Sequence, residues 1–261
     1  MPKITSLASI LPRPYRECIM SVLIDSTTPC EVNYSTVHVV NAWRTERLEF
    51  IKMDENNEAI KAFLPQVEQD PVVLALASSQ VLGPRGEEDI KAHLKAWSNA
   101  LLAVAVCLRE GVDGENAPVG VDGMTTNQNG DGKTKRAIQK KTIVGTMCLR
   151  GGSTNAQTAQ HRTAQMGITF GKQYQGKGYG REAINWMVDW AFRHAGLHTV
   201  SLAAASYNAR GVHLYQSIGF RLQGRKKETI YLDRAWYDEL DFGMTEWEWE
   251  ELRGLASSKP V

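Results

Sequence analysis

The pattern of elements in this sequence predicts an α/β domain, and three observations carry the prediction. Strand-length apolar runs fall at residues 101–108, 142–149, 166–170 and 199–204. Amphipathic helical stripes lie among them, at Ala59, Ile60, Phe63 and Leu64, at Ile90, Leu94 and Trp97, and at Ala183, Ile184, Met187, Trp190 and Ala191. The strand at 166–170 also runs into a glycine-rich turn that opens a helix. Composition agrees: of 261 residues, 43% are hydrophobic and 23% charged, enough apolar material for a substantial core.

Taken in order, residues 1–34 are mixed and proline-bearing, and a strand signal follows at 37–40. Residues 47–52 alternate polar and apolar, with Leu48 and Phe50 on one face, a half-buried strand pattern. The first helical stripe is expected to end at Pro65, because proline lacks the N–H that continues a helix. The second follows Glu87, Glu88 and Asp89, acids that suit the positive end of a helix dipole. Residues 111–141 are rich in Gly, Asn, Asp and Lys and hold no aromatic, which reads as a mobile surface insertion. A second flexible insertion is expected at 151–160.

The insertion contains two near misses. Asn127, Asn129, Asp131 and Gly132 imitate the start of a calcium loop, but its twelfth position is Ile138 where a bidentate Glu is needed. Gly132-Lys133-Thr134 imitates the end of a P-loop whose opening glycine would be Asn127.

Several function classes are disfavoured. Thirty basic residues against 29 acidic give a net charge of +1, too small a surplus for a protein held mainly on nucleic-acid phosphates. No apolar run reaches 18 residues, so no transmembrane helix is expected. The amino terminus is interrupted by Pro12 and Pro14 and lacks a small-residue cleavage pattern, so a cytoplasmic protein is expected, and the Asn33-Tyr34-Ser35 sequon reads as chance. Cys18, Cys30, Cys107 and Cys148 contain no C-x-x-C pair and read as reduced thiols, with no metal site. Neither G-x-S-x-G nor H-E-x-x-H occurs.

The densest chemistry lies at Gln175-Gly176-Lys177-Gly178-Tyr179-Gly180-Arg181. A glycine turn feeding a helix N-terminus exposes successive backbone N–H groups beside a positive dipole end, a ready site for phosphate or pyrophosphate. A dinucleotide fingerprint from Gly176 would need glycine at Arg181. A P-loop from Gly171 reaches Gly176-Lys177 but continues with Gly178 where a Ser or Thr hydroxyl should ligate magnesium. The pattern Q-x-x-G-x-G, from Gln175 through Gly178 to Gly180, fits without such gaps.

That pattern resembles the pyrophosphate-binding motif of the GNAT acyltransferases. About thirty residues on, Asn208-Ala209-Arg210-Gly211-Val212-His213-Leu214-Tyr215-Gln216-Ser217-Ile218-Gly219-Phe220 resembles the family's second signature. Upstream, Thr45-Glu46-Arg47-Leu48-Glu49-Phe50 resembles the first-strand signature of the branch that includes ribosomal-protein N-terminal acetyltransferases. The stretch from Gly224 through Met244 to Trp249 fits that branch's last two strands. The resemblance covers roughly residues 43–250 and implies one domain there, with an N-terminal extension at 1–42 and a C-terminal tail at 251–261.

It implies a twisted, mixed, mostly antiparallel sheet with helices on both faces and a central strand pair, 166–170 and 199–204, that splays apart. Acetyl-CoA would be the cosubstrate. Backbone groups of Ile168 and Phe170 would pair with its pantetheine arm, and Gln175, Gly176, Lys177, Gly178, Tyr179 and Gly180 would hold its pyrophosphate. Tyr215 matches the family's general acid. Asn208 either binds the coenzyme, caps its helix, or does both. The base is unassigned, because Gln165 stands where many relatives carry an acid before the glycine here numbered Gly167; Glu46 is one candidate. The implied activity is acetyl transfer to a primary amine on a small molecule or protein, in a monomer or homodimer. The opposing reading is a coenzyme-binding module without catalysis, kept open by Gln165. Acceptor choice is expected in the loops after Leu64, in the 111–141 insertion and near Trp236 and Tyr237.

Overall fold

A computed structural model describes residues 39, 42–109, 141–151 and 157–255. The chain divides into two units, 1–42 and 43–261. Of the first, only Val39 and Ala42 are described. Most of the strand predicted at 37–40, the sequon and all but Lys141 of the 111–141 insertion lie outside the described residues.

The second unit runs β1 (Leu48–Lys52), α1 (Glu58–Glu68), α2 (Pro71–Ala77), α3 (Glu87–Ser98), β2 (Leu102–Leu108), β3 (Ile143–Arg150), β4 (Thr163–Phe170), α4 (Tyr179–Arg193), β5 (Thr199–Ala205), α5 (Ala209–Ile218), β6 (Arg221–Leu232), β7 (Ala235–Thr245) and α6 (Glu246–Leu252). The seven strands form one sheet in the order β1-β2-β3-β4-β5-β7-β6. Every neighbouring pair is antiparallel except β4 and β5. This is the expected mixed, mostly antiparallel α/β fold.

Strands β2 and β3 read as continuous apolar runs because both sheet faces are covered. On one face Val104, Val106, Leu149 and Met166 join Ile184 and Met187 of α4 in a core cluster. On the other, Ala103, Ala105, Cys107 and Cys148 meet Ile60 and Phe63 of α1 and Leu94 and Trp97 of α3. Phe50 of β1 stacks on Trp186 of α4 at 3.6 Å between ring centroids. Burial raises the Cys107 thiol pKa to about 12, so this cysteine stays protonated and packs as a small apolar group.

Two helical expectations change. Pro65 does not end the first helix; α1 continues to Glu68 with Pro65 inside it. Ile60, Phe63, Leu64 and Val67 are all buried, and their packing on both sides of the proline outweighs the lost hydrogen bond. The loop expected after Leu64 also contains a second helix. Asp70 caps α2, accepting from Val72 N at 2.9 Å and Val73 N at 3.0 Å, and Pro71 takes the first helical position, where its missing N–H costs nothing.

Near the C-terminus, Trp249 lies on α6 rather than on a last strand. Thr245 and Glu248 form a capping box that starts this helix, which runs across residue 250. No helix among the described residues is long and apolar enough to cross a membrane.

Candidate active site

The parallel pairing of β4 with β5 lasts only from Thr163↔Thr199 to Gln165↔Ser201. Beyond it, among the described residues, β4 pairs with β3 as far as Gly145↔Phe170, and β5 pairs with β7 as far as Ala205↔Glu239. The two strands therefore part, as the sequence motifs implied. Main-chain groups alternate between the two neighbours of a strand. Gly171 N donates to Val144 O at 3.0 Å and Thr199 N to Arg162 O at 3.3 Å. By this alternation Thr169 and Gly167 turn toward β3, while Ile168 and Phe170 turn their N–H and C=O groups to the gap. The Phe170 carbonyl is already engaged, accepting from Gln175 Nε2 at 2.9 Å.

A cavity of about 660 Å³ lies at this gap. Its walls include Gln165, Gly167 and Ile168 of β4, Leu202 and Ala204 of β5, Leu74 and Leu76 of α2, and Tyr215 of α5. Gly167 leaves room above the sheet; a Cβ there would stand 3.1 Å from Cys148 Sγ. The α2 segment is tied across the opening. Tyr207 Oη donates to Ala75 O at 2.6 Å, and Asn208 Nδ2 donates to Leu76 O at 3.3 Å. Tyr237 packs edge-on against Tyr207 at 4.9 Å.

The glycine turn follows β4. Gly176 (φ +78°) and Gly178 (φ +83°) occupy left-handed backbone that side chains rarely adopt. Gly180 is small for another reason: a Cβ would meet Leu214 Cδ2 at 3.3 Å, one residue before Tyr215. The first intrahelical bond of α4 runs from Glu182 N to Gly178 O at 3.3 Å. The N–H groups of Tyr179, Gly180 and Arg181 thus have no intrahelical acceptor and lie at the positive end of the helix. Gln175 shapes this turn, since its Oε1 also accepts from Arg210 at the start of α5. Lys177 is exposed beside the turn, its carbonyl accepting from Arg47 Nη1 at 3.0 Å. Tyr179 is buried beneath the Arg47 guanidinium, 4.9 Å from its ring centroid.

Arg47 and Thr45 clamp the start of α4 through Glu182. This carboxylate accepts from Thr45 Oγ1 at 2.5 Å, from Arg47 N at 2.8 Å and from Arg47 Nε at 2.7 Å. Burial opposes its ionisation, but these hydrogen bonds and the Arg47 charge prevail and hold its pKa below the usual carboxylate range. A depressed folded-state pKa stabilises the fold fully above the unfolded value, and the stabilisation is lost as pH falls through the folded value. We expect Glu182→Gln to cost about 2 kcal/mol of stability at neutral pH, the size of lost charge-assisted bonds. Denaturant melts should show the gap closing on acidification; an equal gap at all pH values would remove the ionised carboxylate from this role.

Tyr215 lines the cavity and packs against Phe220 and Phe242 at 6.4 and 6.2 Å. Burial pushes its phenol pKa up, so the hydroxyl keeps its proton at neutral pH. Asn208 also lines the cavity, yet both ends of its amide are occupied: Oδ1 accepts from Gly211 N at 3.0 Å while Nδ2 holds α2. Glu46 is not brought to this place. It is exposed, its carbonyl oxygen accepts from Arg109 Nη1 at 3.1 Å, and it is absent from the cavity wall. The described residues hold no cluster of three or more His, Cys, Asp or Glu placed for a metal.

The wall also contains residues that sequence reasoning missed. His93 Nδ1 of α3 lies 2.6 Å from Glu68 Oε1 at the end of α1, and the imidazole packs edge-on against Trp97 at 4.7 Å. The signal was present, since His93 occupies the i+3 position of the Ile90–Leu94–Trp97 stripe, but helix period alone does not show what an apolar face covers. Arg85, Asp89 and Arg150 line the same cavity.

Residues 124–220 match the model of the acetyltransferase (GNAT) family. Over that segment the chain is similar to the GNAT acetyltransferases. One similar protein is the spermidine N(1)-acetyltransferase of Vibrio cholerae, 35% identical over 78 residues, which are 30% of this chain and 45% of that protein. Another is the [ribosomal protein uS5]-alanine N-acetyltransferase of Escherichia coli, 24% identical over 96 residues, 37% of this chain and 50% of that protein. The chain thus spans about half the length of these curated relatives. In overall fold it is similar to the crystal structure of spermidine N-acetyltransferase from V. cholerae in complex with CoA and spermine, with a TM-score of 0.57 at 18% identity, over 77% of this chain and 97% of that one. A GNAT-family acetyltransferase from Bacillus anthracis gives 0.54 at 20% identity, over 78% and 97%.

Proposed function

We propose that this chain is an acyl-CoA-dependent N-acyltransferase that moves acetyl from acetyl-CoA to a primary amine by direct attack. The observation that carries the proposal is the gap between β4 and β5. It runs from the outward-facing main chain of Ile168 and Phe170 to a cavity holding Tyr215, beside a glycine turn with free helix N–H groups. An extended pantetheine arm would add to β4 as a short strand would, and the pyrophosphate would meet the N–H groups of residues 176–181.

Chemistry then needs a base for the acceptor ammonium and an acid for the departing thiolate. His93 is the base this reading selects. Glu68 on Nδ1 orients the ring and leaves Nε2 to take the proton. The neutral amine attacks the thioester carbonyl, the C–S bond breaks, and the thiolate leaves as CoA thiol with the Tyr215 proton. The nitrogen, cationic after the attack, gives up its second proton as the amide forms; through solvent that proton restores Tyr215, and solvent discharges His93. This dyad supplies what Gln165 cannot and favours an enzyme over a silent coenzyme binder.

The first test is calorimetric titration of the full chain with acetyl-CoA, with ATP and NADH as controls, followed by thiol release in an amine screen. Saturable one-to-one binding of acetyl-CoA alone, then thiol release, is the expected result. Binding without release for any amine would leave a coenzyme module; a folded protein that does not bind acetyl-CoA would sink the proposal.

A further inference from the structure

Two arginines on the cavity wall point away from the polyamine that the Vibrio relative is named for. Each carboxylate on that wall already has a partner. Glu68 holds His93 at 2.6 Å. Asp89 Oδ2 accepts from Gly86 N at 2.8 Å as part of the α3 cap. Glu239 is paired with Lys226 Nζ at 2.5 Å. Of the three only Glu239 is balanced by a permanent cation, so the case against a polycation rests on the two arginines of the same wall.

The two arginines are in the opposite condition. Arg85 Nη2 donates to the Gln80 side-chain oxygen, but Arg85 Nε is buried and has no hydrogen-bond partner among the described residues. A buried, unsatisfied donor on a cation is costly, and an incoming anion would relieve it. Arg150 makes no ion pair among the described residues and lines the same cavity. Its strand position explains this. Arg150 of β3 stands directly opposite Gln165 of β4. An acid at 165 would face that guanidinium across the pair and neutralise it. Glutamine cannot, so the positive charge stays available to a ligand.

Arg150 also lies away from the coenzyme's expected phosphate site. Gln165 and its partner Arg150 lie at the end of β4 where β4 and β5 still pair, whereas the glycine turn follows the other end, Phe170.

From this we infer that the acceptor is a small primary amine carrying an anionic oxygen group, a carboxylate or phosphate, which Arg85 and Arg150 bind while its amine faces the thioester. The inference rests on the N-acyltransferase reading and names the acceptor class for that site. Gln165 becomes a specificity residue: it withholds the charge that would cancel Arg150.

The test compares matched acceptors on the full chain with saturating acetyl-CoA: an α-amino acid against its amide, phosphoethanolamine against ethanolamine, and spermidine. Thiol release should give a KM at least about tenfold lower for an anionic member than for its neutral partner, the worth of a charge-assisted hydrogen bond, with spermidine no better than the amide. The member preferred distinguishes carboxylate from phosphate. Arg85→Gln and Arg150→Gln should each erase most of that ratio, and Gln165→Glu should shrink it by neutralising Arg150. Lys61→Gln, on an exposed part of α1, controls for net charge.

Equal KM for anionic and neutral partners in the unmutated protein, or a preference for spermidine, overturns the inference without any mutant having to fold. So does a fall in acetyl-CoA affinity in the arginine variants that matches their loss of acceptor binding, which would assign them to the coenzyme's phosphates. Where nothing is turned over, calorimetric binding of the acid and its amide to the CoA-loaded protein decides, and equal binding counts against it. Failure to bind acetyl-CoA at all is a separate result that removes the underlying reading, and this inference with it.

Discussion

Tyr215→Phe is expected to lower kcat for amine acetylation by about 10²-fold at neutral pH, the lower end of what a positioned proton donor contributes. The ring and the hydroxyl of Tyr215 have separate roles. The ring contacts Phe220 and Phe242, and phenylalanine keeps that packing, so the melting temperature should stay close to that of the parent. Tyr215 lines the cavity and burial keeps its hydroxyl protonated, which suits donation to a leaving thiolate. Acetyl-CoA binding should be retained, because this reading assigns coenzyme affinity to the β4 main chain and the glycine turn. The loss should therefore appear in kcat with the coenzyme Kd unmoved. Unchanged turnover would return Tyr215 to a packing role on an amphipathic helix.

His93→Gln should give a deficit of similar size, about 10²-fold in kcat/KM at neutral pH, but with a different dependence on pH. Without a base, only the fraction of acceptor already neutral can attack. An amine with a pKa near 10 gains about tenfold in that fraction for each pH unit below it. The deficit of the variant should consequently narrow as pH rises. A purely structural His93, bridging Glu68 and packed edge-on against Trp97, would instead produce a loss that does not track the acceptor's ionisation, together with a lowered melting temperature. Glu68→Gln offers a second view: it keeps a hydrogen-bond acceptor for Nδ1 but removes the charge, and should fall between parent and His93→Gln.

Much of the frame was legible because it is written in short-range physics. The turn at 176–180 needs glycine where φ is positive and where α5 packs close, and those glycines are visible as punctuation before an amphipathic helix. Asn208 as a cap and Gly219 in left-handed backbone (φ +114°) bracket α5 as their spacing suggested. Apolar runs of strand length located β2, β3, β4 and β5. Pro65 misled because a local rule about proline met four buried neighbours that enforce the helix. The α2 helix was missed although its Asp70-Pro71 start is a local signal.

The composition of the cavity was not legible, and the reason is register. Whether Glu46 faces the site depends on how β1 leads into the clamp at Glu182, and that geometry leaves it exposed. The partnership of His93 with Glu68 depends on how α3 packs against α1. Arg150 meets Gln165 because β3 and β4 pair in one alignment, and a one-residue slip would turn every side chain to the other face. The sequence by itself determined most of the order of elements, the glycine turn and the tyrosine helix, since each is set by neighbours within a few residues. Which charges share the cavity, and which of them remain unneutralised, was decided only by tertiary structure, because those contacts join segments tens of residues apart whose alignment no local spacing encodes.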